Sequence, residues 1–197
     1  GLTVNEGAKG IIGAAELSAI DEDNPPQELL YTLETAPLHG TLKNNGIPVN
    51  VSGTFTQSEI NAGWLITYEH DGSETPTTDS FTFSVADGQG GNVVNQTFSV
   101  SVTPLNDPPV LAINTGLTVN EGSSGIIVDS KLSVNDADAS ADGLVYTLVL
   151  PPGHGSLKKS GVVLGSGATF TQSDINTDTA ITYQHDGSET TSDQFTF

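Results

Sequence analysis

Cysteine and methionine are both absent from this chain of 197 residues, and lysine plus arginine number only 5. Without cysteine no disulfide can staple the fold, although small exported domains often depend on one, and a bound metal can take over that task. The few basic side chains face 24 aspartates and glutamates, for a formal net charge of −19. That balance excludes nucleic acid, whose binding rests on basic groups neutralising phosphates, and it excludes an anionic membrane surface. No apolar run approaches the ~20 residues of a membrane-spanning helix, so no membrane insertion is expected. No signal-peptide pattern opens the chain, which starts at a repeat boundary and reads as a piece of something longer. Aromatic residues make up only 6%, low but sufficient for β-sandwich cores, while glycine at 22 and proline at 10 suit many short strands joined by turns. The acidic excess has a plain reading, a soluble surface, and a chemical one, carboxylates gathered around divalent cations.

What the chain does contain is one unit nearly twice. Gly1 aligns with Gly116, Thr54-Phe55-Thr56-Gln57-Ser58 with Thr169-Phe170-Thr171-Gln172-Ser173, and Ile66-Thr67-Tyr68 with Ile181-Thr182-Tyr183. A period this long means tandem domains, not a solenoid. Between the copies lies Thr103-Pro104-Leu105-Asn106-Asp107-Pro108-Pro109-Val110. Its prolines fix φ and cannot donate to a ladder, so a strand must end there. The expected organisation is domain 1 over 1–104, a stiff linker over 105–110, and domain 2 over 111–197.

Alternation predicts strands at Leu2–Asn5, Glu16–Ile20, Leu29 to Leu33, Thr41–Lys43, Trp64 to Tyr68, and Phe81 to Val85. Asn44-Asn45-Gly46 predicts a hairpin, and Thr56 with Glu59 three residues on predicts one capped helical turn. Short alternating strands with no longer helix make an all-β sandwich. The second copy stops inside the strand matching Phe81–Ala86 and has no counterpart of Ser84–Pro104. An open sheet edge is therefore expected there, completed by further chain or by another molecule.

The order Asn5-Glu6-Gly7, Asp21-x-Asp23, His70-Asp71-Gly72-Ser73-Glu74, Phe81-x-Phe83-x-Val85-x-Asp87 and Leu105-Asn106-Asp107-Pro108-Pro109 resembles a cadherin-type repeat. More narrowly, Pro37-Leu38-His39-Gly40-Thr41-Leu42, Phe55–Ile60 and Tyr68–Glu74 resemble the repeats of the chondroitin sulfate proteoglycan subfamily, found in large bacterial surface adhesins and animal matrix proteins. The resemblance covers the chain twice. It implies tandem Greek-key β-sandwich domains, the second truncated, with calcium held at each joint. Carried over, the ligands are Glu6, Asp71 and Glu74 of domain 1, Asn106 and Asp107 of the linker, and Asp136 and Asp138 of domain 2. Asp21, Asp23 and Asp87 become half-sites toward a preceding domain, and Glu121, Asp186 and Glu189 half-sites toward a following one. The linker lacks a leading aspartate and a trailing asparagine of the family pattern, so one or two ions are expected, not three. Calcium takes six to eight hard oxygens in flexible geometry, which such acids offer.

The implied function is a calcium-binding extracellular adhesion or spacer module, secreted or at the cell surface. Its implied partners are neighbouring repeats of the same protein, homotypic chain contacts or surface glycans. The alternative is a polysaccharide-binding β-sandwich. Catalysis is not expected. There is no cysteine nucleophile, no serine sits in a nucleophile elbow, and the acids lie in polar glycine-rich loops instead of an apolar cleft. His39, His154, His70 and His185 read as turn histidines bonded to backbone. Trp64 reads as core. The sequons Asn50-Val51-Ser52 and Asn95-Gln96-Thr97 read as chance matches.

Overall fold

Alternating apolar residues build two sheets in the first half of the chain. The computed structural model describes every residue from Gly1 to Phe197 and divides into two units, Gly1–Leu105 and Asn106–Phe197. The first unit runs β1 (Leu2–Asn5), β2 (Lys9–Ile11), β3 (Leu30–Thr35), β4 (Gly40–Asn44), β5 (Ile47–Pro48), β6 (Thr54–Thr56), α1 (Gln57–Asn61), β7 (Ile66–His70), β8 (Thr78–Ala86) and β9 (Asn92–Thr103). One sheet has the order β1-β9-β8-β3-β6 and the other β2-β7-β4-β5. Their inner faces share a single core, in which Tyr31, Phe55, Tyr68 and Phe81 are fully buried. Tyr31 stacks on Phe55 at 5.1 Å between ring centroids, and Phe81 on Phe98 at 4.9 Å.

Local signals act as their chemistry dictates. The Asn45-Gly46 turn has φ of 49° and 80°, the left-handed pair a two-residue hairpin needs. Thr56 caps α1: its side chain accepts from the Glu59 N–H, and the Glu59 carboxylate accepts from the Thr56 N–H. β1 runs parallel to the end of β9, Leu2 opposite Val100 and Asn5 opposite Thr103, and β9 stops before Pro104.

The second unit runs β10 (Val110–Asn114), β11 (Ser124–Ile126), β12 (Leu132–Asn135), β13 (Val145–Thr147), β14 (Gly155–Lys159), β15 (Val162–Val163), β16 (Thr169–Thr171), α2 (Gln172–Asn176) and β17 (Ile181–His185). Its sheets are β11-β17-β14-β15, β10-β12 and β13-β16. The core repeats that of the first unit, with Tyr146 stacked on Phe170 at 4.8 Å. The segment matching β1 forms no strand, and the segment matching β8 makes a single bridge, Leu150 to Thr196. A groove of about 770 Å³ lies along this side, lined by Leu117, Val119, Tyr183 and Phe195 among others.

Two expectations are corrected. Glu16–Ile20 is not a strand, although its counterpart Leu132–Asn135 is. In the second unit that segment pairs with β10. In the first, nothing pairs beside it, and the Ala19 N–H donates to Oε1 of Gln57 just as the Val134 N–H of the second unit donates to Oε1 of Gln172. Trp64 is not core: it is 61% exposed. It precedes β7 by two residues, just after Gly63 at φ 74° closes α1, so strand alternation does not reach it.

Candidate metal centre

The acids at one end of the first unit hang from turns made by glycines. Glu6 follows β1, and its N–H still donates to the Thr103 carbonyl at 2.9 Å. Gly7 then takes φ 62°, which leaves the Glu6 side chain beside the strand ends. Its Oε2 accepts the Leu105 N–H at 3.3 Å. A Glu74 carboxylate oxygen lies within 4.8 Å of one from Glu6. Asp71 follows β7 and is exposed; its Oδ1 accepts from the Ser73 N–H at 2.9 Å. Hydrogen bonds from the Ser73 hydroxyl and N–H hold the Asp71 carboxyl below the usual carboxylate range.

His70 sits beneath these turns, only 3% exposed. Its Nδ1 accepts the N–H of Gly7 at 3.2 Å and that of Gly72 at 3.2 Å. Its Nε2 has no hydrogen-bond partner and stands 3.9 Å from Asp71 Oδ1. His39 Nδ1 lies 3.2 Å from the Ser73 hydroxyl.

At the other end of the first unit, Asp21 Oδ1 accepts the N–H groups of Asp23 at 2.9 Å and Asn24 at 3.0 Å. Asn24 is buried and donates to Glu28 and to the Asp87 carbonyl, joining that loop to the β8–β9 turn. Asp87 Oδ1 accepts from Gln89 and Gly91. In the second unit Asp136 Oδ1 accepts the N–H of Asp138 at 2.9 Å and of Ala139 at 2.7 Å. The Asp107 N–H donates to Asp138 Oδ2 at 2.6 Å, and the Asn106 side-chain amide donates to the Asp107 carbonyl at 2.9 Å. Glu121 precedes Gly122, and Asp186 Oδ1 accepts from the Ser188 N–H and hydroxyl. Glu189 lines the groove of the second unit.

Glu6 and Glu74 are thus brought together within the first unit, and Asp107, Asp138 and Asp136 are chained together within the second. Each set offers hard oxygens on loops with lone pairs to spare, which fits calcium and not a thiolate-seeking or imidazole-seeking metal.

Sequence reasoning missed one acid in each unit. Asp79 is buried at 8% exposed and accepts from the N–H groups of Leu38, His39 and Ser80 and from the Tyr68 hydroxyl. Asp193 does the same with Gly153, His154, Gln194 and Tyr183. The available signal was the frame Asp-x-Phe-Thr-Phe, repeated with its aspartate intact. With its lone pairs filled by four donors, this carboxylate is an anchor for the Pro-x-His-Gly turn and not a cation ligand.

Residues 1–102 and 109–197 each match the family model described as cadherin-like. The chain is 37% identical over 201 residues to extracellular matrix protein 3 of the sea urchin Lytechinus variegatus, covering all of this chain and 6% of that protein. It is 33% identical over 199 residues to the human extracellular matrix organizing protein FRAS1, again over all of this chain and 5% of the relative. Human chondroitin sulfate proteoglycan 4 is 36% identical over 146 residues, 71% of this chain and 6% of its own length. The chain therefore spans only about a twentieth of the relatives it matches.

Proposed function

Because this chain belongs to the cadherin-like family over both of its units, we propose that it serves as a calcium-stiffened spacer in a large extracellular protein. The resemblance read from the sequence holds over the whole chain, and so does the β-sandwich class. The coarse function follows from the relatives, which are extracellular matrix proteins and a proteoglycan: this is an extracellular matrix or adhesion module. No helix is long and apolar enough to cross a membrane.

Calcium is the finer part of the reading. The observation that carries it is the way the linker is tied down by acids. The Leu105 N–H rests on Glu6, and the Asp107 N–H, two residues further along, rests on Asp138. Carboxylates that already grip the linker backbone keep further lone pairs for a cation. Calcium held by Glu6 and Glu74, with Asp71, in the first unit, and by Asp107 and Asp138, with Asn106 and Asp136, in the second would neutralise the repulsion within each set and stiffen the linker segment it holds.

Calorimetric titration with calcium chloride tests this, alongside small-angle scattering with and without chelator. Binding that disappears in Asp136→Asn/Asp138→Asn, with a narrower scattering distribution when calcium is present, is expected. Heat-silent titration of the native chain overturns the reading. Polysaccharide binding is the second reading, and the exposed indole of Trp64 is the observation in its favour, since such a ring can stack on a sugar. Glycan binding that survives chelator and is lost in Trp64→Ala would replace the spacer reading.

A further inference from the structure

We propose that His70 is a positioning residue for the acids of the first unit. The inference rests on the calcium reading and adds a device that organises its ligands.

The argument begins with two short motifs that recur together. Asn5-Glu6-Gly7 and His70-Asp71-Gly72 return as Asn120-Glu121-Gly122 and His185-Asp186-Gly187. All four glycines are left-handed, with φ of 62°, 85°, 66° and 88° in chain order. A Cβ on Gly7 would lie 4.0 Å from the Gly72 Cα, and one on Gly122 would lie 3.9 Å from the Gly187 Cα, so the two turns of each unit are neighbours. What joins them is a ring nitrogen. Nδ1 of His70 accepts from Gly7 and Gly72, and Nδ1 of His185 accepts from Gly122 at 3.2 Å and Gly187 at 3.0 Å.

A nitrogen that accepts two N–H groups carries no proton, so the ring proton is on Nε2. Each donating N–H belongs to the peptide unit that directly follows an acid: Glu6 before Gly7, and Asp71 before Gly72. One imidazole therefore fixes the backbone from which both carboxylates spring. Chemically this is the outer-shell part of a metal site, where a buried group aims ligands it does not itself replace.

The second nitrogen separates this from ordinary structural packing. A buried histidine kept only for the fold satisfies both ring nitrogens, as His185 does, with Nε2 3.2 Å from the Thr190 hydroxyl. In His70 the Nε2–H is buried without a partner, and Asp71 Oδ1 is 3.9 Å away. An unpaired buried donor costs stability. We infer that it is retained because it faces the acid-bearing turn.

The test uses the full 197-residue chain, calcium chloride as ligand, and two substitutions. His70→Asn keeps an acceptor where Nδ1 stands, and His70→Gln moves it away. His70→Gln should weaken calcium binding by about 10–100-fold, the range for losing an outer-shell partner, while His70→Asn stays close to the native affinity. Imidazole nitrogen spectra of the native chain should show Nδ1 unprotonated and coupled to the amides of Gly7 and Gly72. Native affinity retained in His70→Gln overturns the positioning role and leaves calcium standing, as does a protonated Nδ1. A native chain that shows no calcium response overturns the calcium reading and this inference with it. Should His70→Gln fail to fold, His70→Asn decides: retained binding supports the role, and a tenfold loss despite the retained acceptor overturns it.

Discussion

The Tyr68 hydroxyl donates to Asp79 Oδ2 across 2.8 Å inside the first unit, and Tyr183 donates to Asp193 Oδ2 across 2.9 Å in the second. Tyr68 stands on β7 in one sheet and Asp79 on β8 in the other, so the bond ties the sheets together where the Pro37–Gly40 turn crosses between them. Hydrogen bonds to a charged group are worth about 1.5–3 kcal/mol each, and stranding their donors costs more. Tyr68→Phe should therefore destabilise the first unit by about 1.5–3 kcal/mol, and Asp79→Ala by about 3 kcal/mol or more. Urea unfolding followed by Tyr and Trp fluorescence measures both. A shift below ~0.5 kcal/mol for Asp79→Ala would show the anchor to be idle.

Acid should unfold the chain through these anchors. Burial pushes the Asp79 carboxyl up, but hydrogen bonds from Leu38, Tyr68, Ser80 and His39 outweigh it and hold the group below its ordinary value. Asp193 is lowered in the same way, burial being outweighed by His154, Gly153, Gln194 and Tyr183. The unfolded chain then binds these protons more tightly than the folded chain does. Their contribution is fully present above about pH 4 and is lost as pH falls through the folded-state values. Urea midpoints measured from pH 7 down to 2 should stay level and then drop. Asp79→Asn should lower the neutral plateau and flatten the fall.

Calcium should raise the melting temperature. A ligand that binds only the folded state adds about 2.7 kcal/mol at 100 times its dissociation constant, and extracellular sites bind at ~10⁻⁴–10⁻³ M. Scanning calorimetry in millimolar calcium and in chelator distinguishes the outcomes, and coincident curves count against calcium.

Asp107→Ala should weaken calcium binding while both units stay folded, because Asp107 is exposed and its N–H, not its side chain, is what bonds Asp138. Circular dichroism checks the fold and titration the affinity. Loss of folded signal in the first unit would make Asp107 a structural residue.

The caps should behave as a matched pair. Thr56→Ala and Thr171→Ala each remove the acceptor for an N–H of a one-turn helix, at a cost of about 1 kcal/mol. Hydrogen exchange at the Glu59 and Asp174 amides would report the loss locally. Unchanged protection would mean that the helices are held by buried Ile60 and Ile175 alone.

Most of the fold was legible because its signals are local. Alternation placed Tyr31 and Leu33 inward, Asn45-Gly46 could make only a left-handed turn, and Thr56 with Glu59 announced a cap. Glu16–Ile20 was misread because alternation states what a segment could pair as, not whether a partner lies beside it. Trp64 was misread because parity was carried back two residues before the true start of β7. The acids came from the family resemblance and not from their local chemistry, since carboxylates in polar loops are commonly just solvated; the structure groups Glu6 with Glu74, and Asp107 with Asp138 and Asp136. The role of His70 could not be named in advance, because one nitrogen accepting from glycines 63 and 2 residues away is visible only in three dimensions.

The parallel pairing of β1 with β9 carries a mechanical consequence. The chain enters the first unit at Leu2 and leaves it at Thr103, on adjacent strands running the same way. Tension applied to the two ends pulls these strands in opposite directions along their common axis. The bonds between Leu2–Asn5 and Val100–Thr103 are then loaded in shear, all at once, instead of being unzipped one by one, and the unit resists extension as a clamp closed by its own two ends.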